Sequence, residues 1–303
     1  MDGMRNDMNN TAGGKGLLVV SFGTTHNRTC EETIGAIEES LAKAFPDRKI
    51  FRGWTSKMII RRLDARDGIH VDTAEEALDR MVDQGIDDVL VVPTHMIGGG
   101  ENDRLAELLR AKAGQFKCIT ASRPLLDEER DLEELAKILG EEYLGAPGAL
   151  EAADASETSD APGARGDRAL VLMGHGSADK PSANEIYVRL EESFHRLGWT
   201  RAFVGTVEGT PDLEDVLGKL SGGDRAAGPA GGSTGEAATT LAPLMIVAGE
   251  HAVKDMAGED PDSWMNRMKA AGYTVEAVKK GLGAYEGVRR MFVRHGRQAR
   301  PVE

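Results

Sequence analysis

Thiol chemistry is nearly absent from this chain. Its two cysteines, Cys30 and Cys118, have no C-x-x-C spacing, which excludes a disulfide framework and a thiolate zinc site. Both read as buried, reduced and structural. Long apolar runs are missing as well, and no stretch approaches the length needed to span a bilayer. The polar opening MDGMRNDMNN lacks the apolar segment and cleavage site of a secretory signal. The expected setting is the cytoplasm, with no membrane partner. Basic charge is in the minority: 37 Lys and Arg face 50 Asp and Glu, a net charge of −13. That balance repels nucleic acid phosphates and favours cations at long range, so no nucleic acid partner is expected. The Walker pattern G-x-x-x-x-G-K-[ST] and a full G-x-G-x-x-G fingerprint are both missing, so nucleotide binding lacks its usual signatures.

What is present is a globular composition. The chain has 303 residues, 40% of them apolar, enough for two modest domains with cores of their own. Two segments crowded with Ala, Gly, Ser and Asp bury too little to offset their ordering entropy. They divide the chain into an N-terminal α/β half at 14–145, a flexible linker at 146–167 and a C-terminal α/β half at 168–303. The second half carries a flexible insertion at 221–239. Elsewhere short β-rich runs alternate with amphipathic helices, the pattern of parallel α/β construction. Strands are predicted at 16–22, 49–54, 88–93 and 116–121, then at 169–174, 201–207, 240–247 and 273–278, four per half.

The halves also resemble each other. LLVVSFGTT parallels ALVLMGHGS, aligning Phe22 with His175, Gly23 with Gly176 and Thr24 with Ser177. PTHMIGGGE, from Pro93 to Glu101, parallels PLMIVAGEH, from Pro243 to His251, without a gap. Such internal similarity marks a duplicated unit.

In a parallel sheet, ligands gather where the strand-to-helix loops converge, at the carboxyl ends of the strands. Three candidate donors fall there in the second half: His175 in GHGS, Glu208 in TVEGTP and His251 in AGEH. Two imidazoles and a carboxylate suit Co²⁺, Ni²⁺, Fe²⁺ or Zn²⁺, and without thiolate the set does not hold a soft metal too tightly to release it. Glu101 is the repeat equivalent of His251, which places it across the cleft from the metal donors, and His95 lies at the same strand end. Each donor has a plainer use: a strand-end histidine caps or packs, and Glu208 before Gly-Thr-Pro begins a turn. The GHGS turn, entering a helix, also suits a phosphate. Arg294-His295-Gly296 reads as the solvated end of a C-terminal helix, and His26, His70 and His195 are assigned no chemistry.

Read together, SFGTT followed by TCEE, FPDRKIFRGWTSKMIIRRL, DGIHVDT, GHGS, GTVEGTPD, PLMIVAGEHAVKDMAGEDPDSW and GLGAYEGVRRMF resemble the anaerobic sirohydrochlorin cobaltochelatases. These are the two-domain members of the class II chelatases, a group that includes ferrochelatase. The resemblance implies two Rossmann-like halves, each with a four-stranded parallel sheet, around a tetrapyrrole cleft. It implies that His175, Glu208 and His251 hold the incoming metal and that Glu101 stands in the active-site cleft. The implied activity is ATP-independent insertion of Co²⁺ into sirohydrochlorin or precorrin-2 in the anaerobic cobalamin pathway, with no cofactor beyond the substrate metal. His175 and His251 would alternate as metal perch and proton acceptor. Glu208 would complete the perch, and Glu101 would polarise a histidine or take up a proton. Nickel or iron insertion into a related tetrapyrrole is the alternative within the class, and a non-catalytic metal or tetrapyrrole carrier is the alternative outside it. Assembly into a homo-oligomer is left open. Lys57, Arg61 and Arg62 are candidates for the substrate carboxylates or for a wet helix face. Trp54, Met58 and Met96 are candidates for ring contact or core packing.

Overall fold

The computed structural model describes residues 13–147, 168–223 and 238–303, so most of the expected linker and insertion lie outside the described residues. In the first half β1 (Gly14–Ser21) leads through α1 (Asn27–Cys30) and α2 (Ala36–Ala44) to β2 (Lys49–Trp54). Then come α3 (Lys57–Asp67), α4 (Ala74–Asp83), β3 (Ile86–Pro93), α5 (Gly100–Lys112), β4 (Cys118–Ala121) and α6 (Glu129–Tyr143). The second half runs β5 (Ala169–Gly176), α7 (Glu185–Arg196), β6 (Ala202–Glu208), α8 (Leu213–Gly223) and β7 (Ala238–Leu244). It continues through α9 (Trp264–Ala270), β8 (Thr274–Ala277), α10 (Glu286–Arg297) and β9 (Arg300–Pro301). The flanks of the expected insertion are regular, because α8 extends to Gly223 and β7 begins at Ala238. Among the described residues no helix is long and apolar enough to cross a membrane.

Both sheets have the same parallel order, β2-β1-β3-β4 and β6-β5-β7-β8. The central strands are continuous apolar runs because helices cover both faces; Leu17, Leu18, Val19 and Val20 of β1 have no exposed surface. The register repeats as well. Val20 pairs with Pro93 in the first sheet, and its counterpart Met173 pairs with Pro243 in the second. A proline in a central strand forfeits a ladder donor. Here the outer neighbour has already ended, since β4 pairs only as far as Val91 and β8 only as far as Leu241.

The first sheet departs from the expected count of four strands. A fifth, β9, pairs antiparallel to β4 through Ala121 with Arg300 and Thr120 with Pro301. Two residues are too few to show a period. The preceding helix, α10, packs against α2, α6 and β3, so the end of the chain returns to the first half. One apolar core then joins both halves. It includes Leu17, Leu90 and Val92, residues of α6 and α10, and Leu170, Leu172 and Leu244.

Two further expectations are corrected here. Cys118 is exposed while Cys30 is buried, because strand alternation turns Cys118 away from the buried Ile119 beside it. His295 is not solvated surface. With Val288, Met291 and Phe292 it lies on the buried stripe of α10, at the i, i+3, i+4, i+7 spacing of a core-facing helix. Its Nε2 lies 2.9 Å from Oδ1 of Asp131. Asp131 also accepts from Arg294 at 2.9 Å and from the backbone N–H of Glu128 at 3.0 Å. Burial alone would raise the carboxyl pKa, but the bonds from His295, Glu128 and Arg294 outweigh it and hold Asp131 well below the usual carboxylate range.

Asp131→Asn is therefore expected to cost about 3 kcal/mol at neutral pH, the scale of breaking a buried pair, measured by urea denaturation. A depressed folded pKa gives stability that is complete above the unfolded value of about 4 and is lost as pH falls towards the folded one. The gap between wild type and variant should close in acid.

Candidate active site

Each site residue is held by the way its strand ends. The carboxyl end of β5 passes between β6 and β7, a topological switch point where parallel sheets open a crevice. Gly176 turns the chain there at φ +84°, with its backbone pressed against the carbonyl of Glu208. The two are register partners, Gly176 on β5 and Glu208 on β6. Gly23 makes the same turn in the first half at φ +96°, against the ring of Trp54. Only glycine combines this backbone conformation with so close an approach.

His175, Glu208 and His251 line one cleft of about 520 Å³, a volume usual for small-molecule sites. The His175 and His251 rings meet edge to face with centroids 4.8 Å apart. Nδ1 of His175 stands 4.0 Å from a carboxylate oxygen of Glu208, and all three side chains are partly exposed. The ring tautomers follow from their partners. His175 Nδ1 lies 3.1 Å from the carbonyl oxygen of Gly176, which only accepts. His251 Nδ1 lies 2.7 Å from Oδ2 of Asp255, one turn further on. Both contacts place the proton on Nδ1 and leave the Nε2 lone pair free to bind a metal or take a proton, as outer-shell carboxylates and carbonyls do for metal-binding histidines. The perch is open. Among the described residues no three His, Cys, Asp or Glu side chains are gathered closely enough to hold an ion.

Glu101, in the first turn of α5, lines the same cleft. It is 3.0 Å from Arg104, which also reaches Asp179 at 3.6 Å. Lys180 meets Asp103 at 2.9 Å and the carbonyl of Gly98 at 3.0 Å. Polar contacts between the halves thus border the cleft. His95, buried beside it, has Nδ1 3.4 Å from Oδ1 of Asn102 and an Nε2 without a partner. Burial pushes its pKa down, outweighing the Asn102 contact and Glu101, and so favours a neutral ring.

Of the cationic candidates on α3, Arg62 lines the cleft, one turn beyond Met58, whereas Lys57 and Arg61 do not. Trp54 belongs to the core beneath Gly23, while Met58 is exposed at the cleft and Met96 lines it from the edge of the core. Sequence reasoning passed over Asp255 and Asn184. Asp255 was visible as a carboxylate at i+4 from a candidate histidine. Asn184 accepts from the Ser177 N–H at 2.8 Å and packs against Gly209, holding the GHGS turn to the loop after Glu208. It carried no sequence signal.

Two duplicated parallel α/β halves that close on a cleft, with imidazoles and a carboxylate at the strand ends of one of them, define a chelatase-type protein. Residues 15–300 match the family described as cobalt chelatase (CbiK), and the chain belongs to that family. It is 36% identical over 287 residues to a sirohydrochlorin cobaltochelatase of Salmonella typhimurium, covering 94% of this chain and 96% of that one. It is 31% identical over 284 residues to the sirohydrochlorin cobaltochelatase CbiKC of Nitratidesulfovibrio vulgaris, covering 93% and 89%. Two solved structures share the fold. SirB from Bacillus subtilis with Fe³⁺ matches with a TM-score of 0.57 at 15% identity, covering 94% of this chain and 95% of that one. CbiX, the terminal enzyme of siroheme biosynthesis in denitrifying bacteria, matches with a TM-score of 0.52 at 16% identity, covering 94% and 99%.

Proposed function

We propose that this chain is a sirohydrochlorin cobaltochelatase that inserts Co²⁺ without ATP, with His175, Glu208 and His251 as the metal perch. The observation that carries the reading is the pair of imidazoles 4.8 Å apart, with Glu208 beside them, on a cleft large enough for a small-molecule ligand. Metal insertion displaces two pyrrole N–H protons and brings a divalent ion to one face of the ring. Two rings that both offer Nε2 divide this work: one keeps its lone pair on the ion while the other takes one of the two protons, and the second leaves by way of Glu101. Asp255 fixes the His251 tautomer. Glu208 offsets the ion's charge. A set of two imidazoles and a carboxylate without thiolate suits a substrate ion that must leave with the product. Glu101, held by Arg104, is a proton relay at the opposite wall.

The test is the visible absorption of metal-free sirohydrochlorin mixed with Co²⁺ over time, with and without the protein. Conversion to the metallated spectrum at a rate proportional to protein concentration is the expected result. A rate equal to the protein-free control, with metal or tetrapyrrole still bound, replaces the enzyme by a carrier.

A further inference from the structure

We infer that the first half supplies the platform on which the macrocycle lies, with Phe22 and Met58 against its apolar face and Arg62 on a peripheral carboxylate. This rests on the chelatase reading above and adds the residues that take the organic substrate.

Strand register equates the two halves residue by residue. Val20 faces Gly53 as Met173 faces Gly205, and Ser21 faces Trp54 as Gly174 faces Thr206. Carried to the strand ends, this sets Phe22 opposite His175 and Ser56 opposite Glu208 in the repeat, while Glu101 answers His251. The first half therefore lacks the donor set. Ser56 caps α3, its hydroxyl accepting from the N–H of Ile59, and Glu101 is paired with Arg104. Where the second half presents an imidazole, the first presents a phenyl ring.

That ring is not used for packing. Phe22 is 50% exposed and Met58 54% exposed, and both line the cleft. Large apolar side chains standing in a water-filled cleft are costly unless a ligand covers them, and grouped exposure of this kind marks a binding surface. The flat face of a tetrapyrrole complements an aromatic ring and a polarisable thioether. Arg62, one turn along α3 from Met58, also lines the cleft; its nearest acid is Glu250, at a loose 3.8 Å. Glu250 has a closer partner in Lys254, so Arg62 is free to exchange to a substrate carboxylate. A guanidinium matches that group in shape and charge. The duplication has thus divided the labour: one copy keeps the metal donors, and the other offers a surface for the opposite face of the ring.

Binding of metal-free sirohydrochlorin, followed by its absorption change, and binding of Co²⁺ by equilibrium dialysis are to be measured separately. The proteins are the intact chain, Phe22→Ala, Phe22→Tyr, Arg62→Gln and His251→Ala. Phe22→Ala should weaken tetrapyrrole binding by about tenfold, the scale of one lost aromatic contact, and leave Co²⁺ binding within about twofold of the intact chain. Phe22→Tyr, which keeps the ring, should stay within about threefold. Arg62→Gln should weaken tetrapyrrole binding and flatten its salt dependence. His251→Ala should do the reverse of Phe22→Ala, losing Co²⁺ and keeping the tetrapyrrole. Because Phe22 is half exposed, its truncation leaves no core cavity, and an unchanged melting curve checks this. Unaltered tetrapyrrole affinity in both Phe22→Ala and Arg62→Gln overturns the platform while leaving the chelatase reading in place. An intact chain that binds Co²⁺ but no sirohydrochlorin overturns that reading and the platform with it.

Discussion

Replacing His175 or His251 by alanine should slow Co²⁺ insertion by about 10²- to 10⁴-fold, the range of general acid–base catalysis by a positioned side chain. The rings sit 4.8 Å apart, and each is oriented by a different acceptor, Gly176 O for His175 and Asp255 for His251. Loss of either leaves one imidazole to hold the ion and to receive the proton, two tasks that a single Nε2 lone pair cannot perform at once. The measurement is the initial rate of the absorbance change at saturating sirohydrochlorin and varied Co²⁺. Asp255→Asn keeps the size of the side chain and removes the charge that fixes the His251 tautomer. It should lower the rate by about 10- to 100-fold, with His251 still in place. Equal rates in all three variants and the intact chain would remove the perch from the mechanism.

The second large effect belongs to a residue without a side chain. A methyl group on Gly176 would stand 1.9 Å from the carbonyl oxygen of Glu208, at a φ of +84°. Either β5 or β6 must move. Gly176→Ala should cost about 3 kcal/mol in urea denaturation, from left-handed strain together with overpacking. It should also slow metal insertion by about 10²-fold, as misplacement of catalytic groups by an ångström does. Gly68→Ala is the control. Its φ is +66° with nothing within 4 Å, so it should lose only about 1 kcal/mol and keep full activity.

The internal repeat made much of this architecture readable from the amino acids alone. The paired motifs around Gly23 and Gly176, and around Pro93 and Pro243, recur at matching sheet positions because duplicated strands keep their register. Lys49–Trp54 was bounded correctly, since its apolar and polar residues lie between clear turns. That His175, Glu208 and His251 line one cleft was legible because strand ends converge whatever the helices do. Two of the misses involve partners distant in sequence. Asp131 and His295 are 164 positions apart, and a histidine on a helix stripe carries no mark of the acid it will meet. β9 is a strand only because β4 leaves an open edge beside it. Cys118 was misread because a cysteine in a β-rich run suggests burial, although the face it takes depends on alternation from Ile119.

The return of α10 and β9 to the first sheet bears on how the protein is born. Synthesis runs from the first half to the second, yet α10 and β9, which cover β3 and pair with β4, are made after the whole of the second sheet. The first half stays unfinished while the second is being made. A polypeptide interrupted anywhere before Arg300 lacks the closing strand, even with His175, Glu208 and His251 already in hand. The first sheet is therefore completed only after the second has been made, and the growing chain has no stage at which a finished first half waits for its partner.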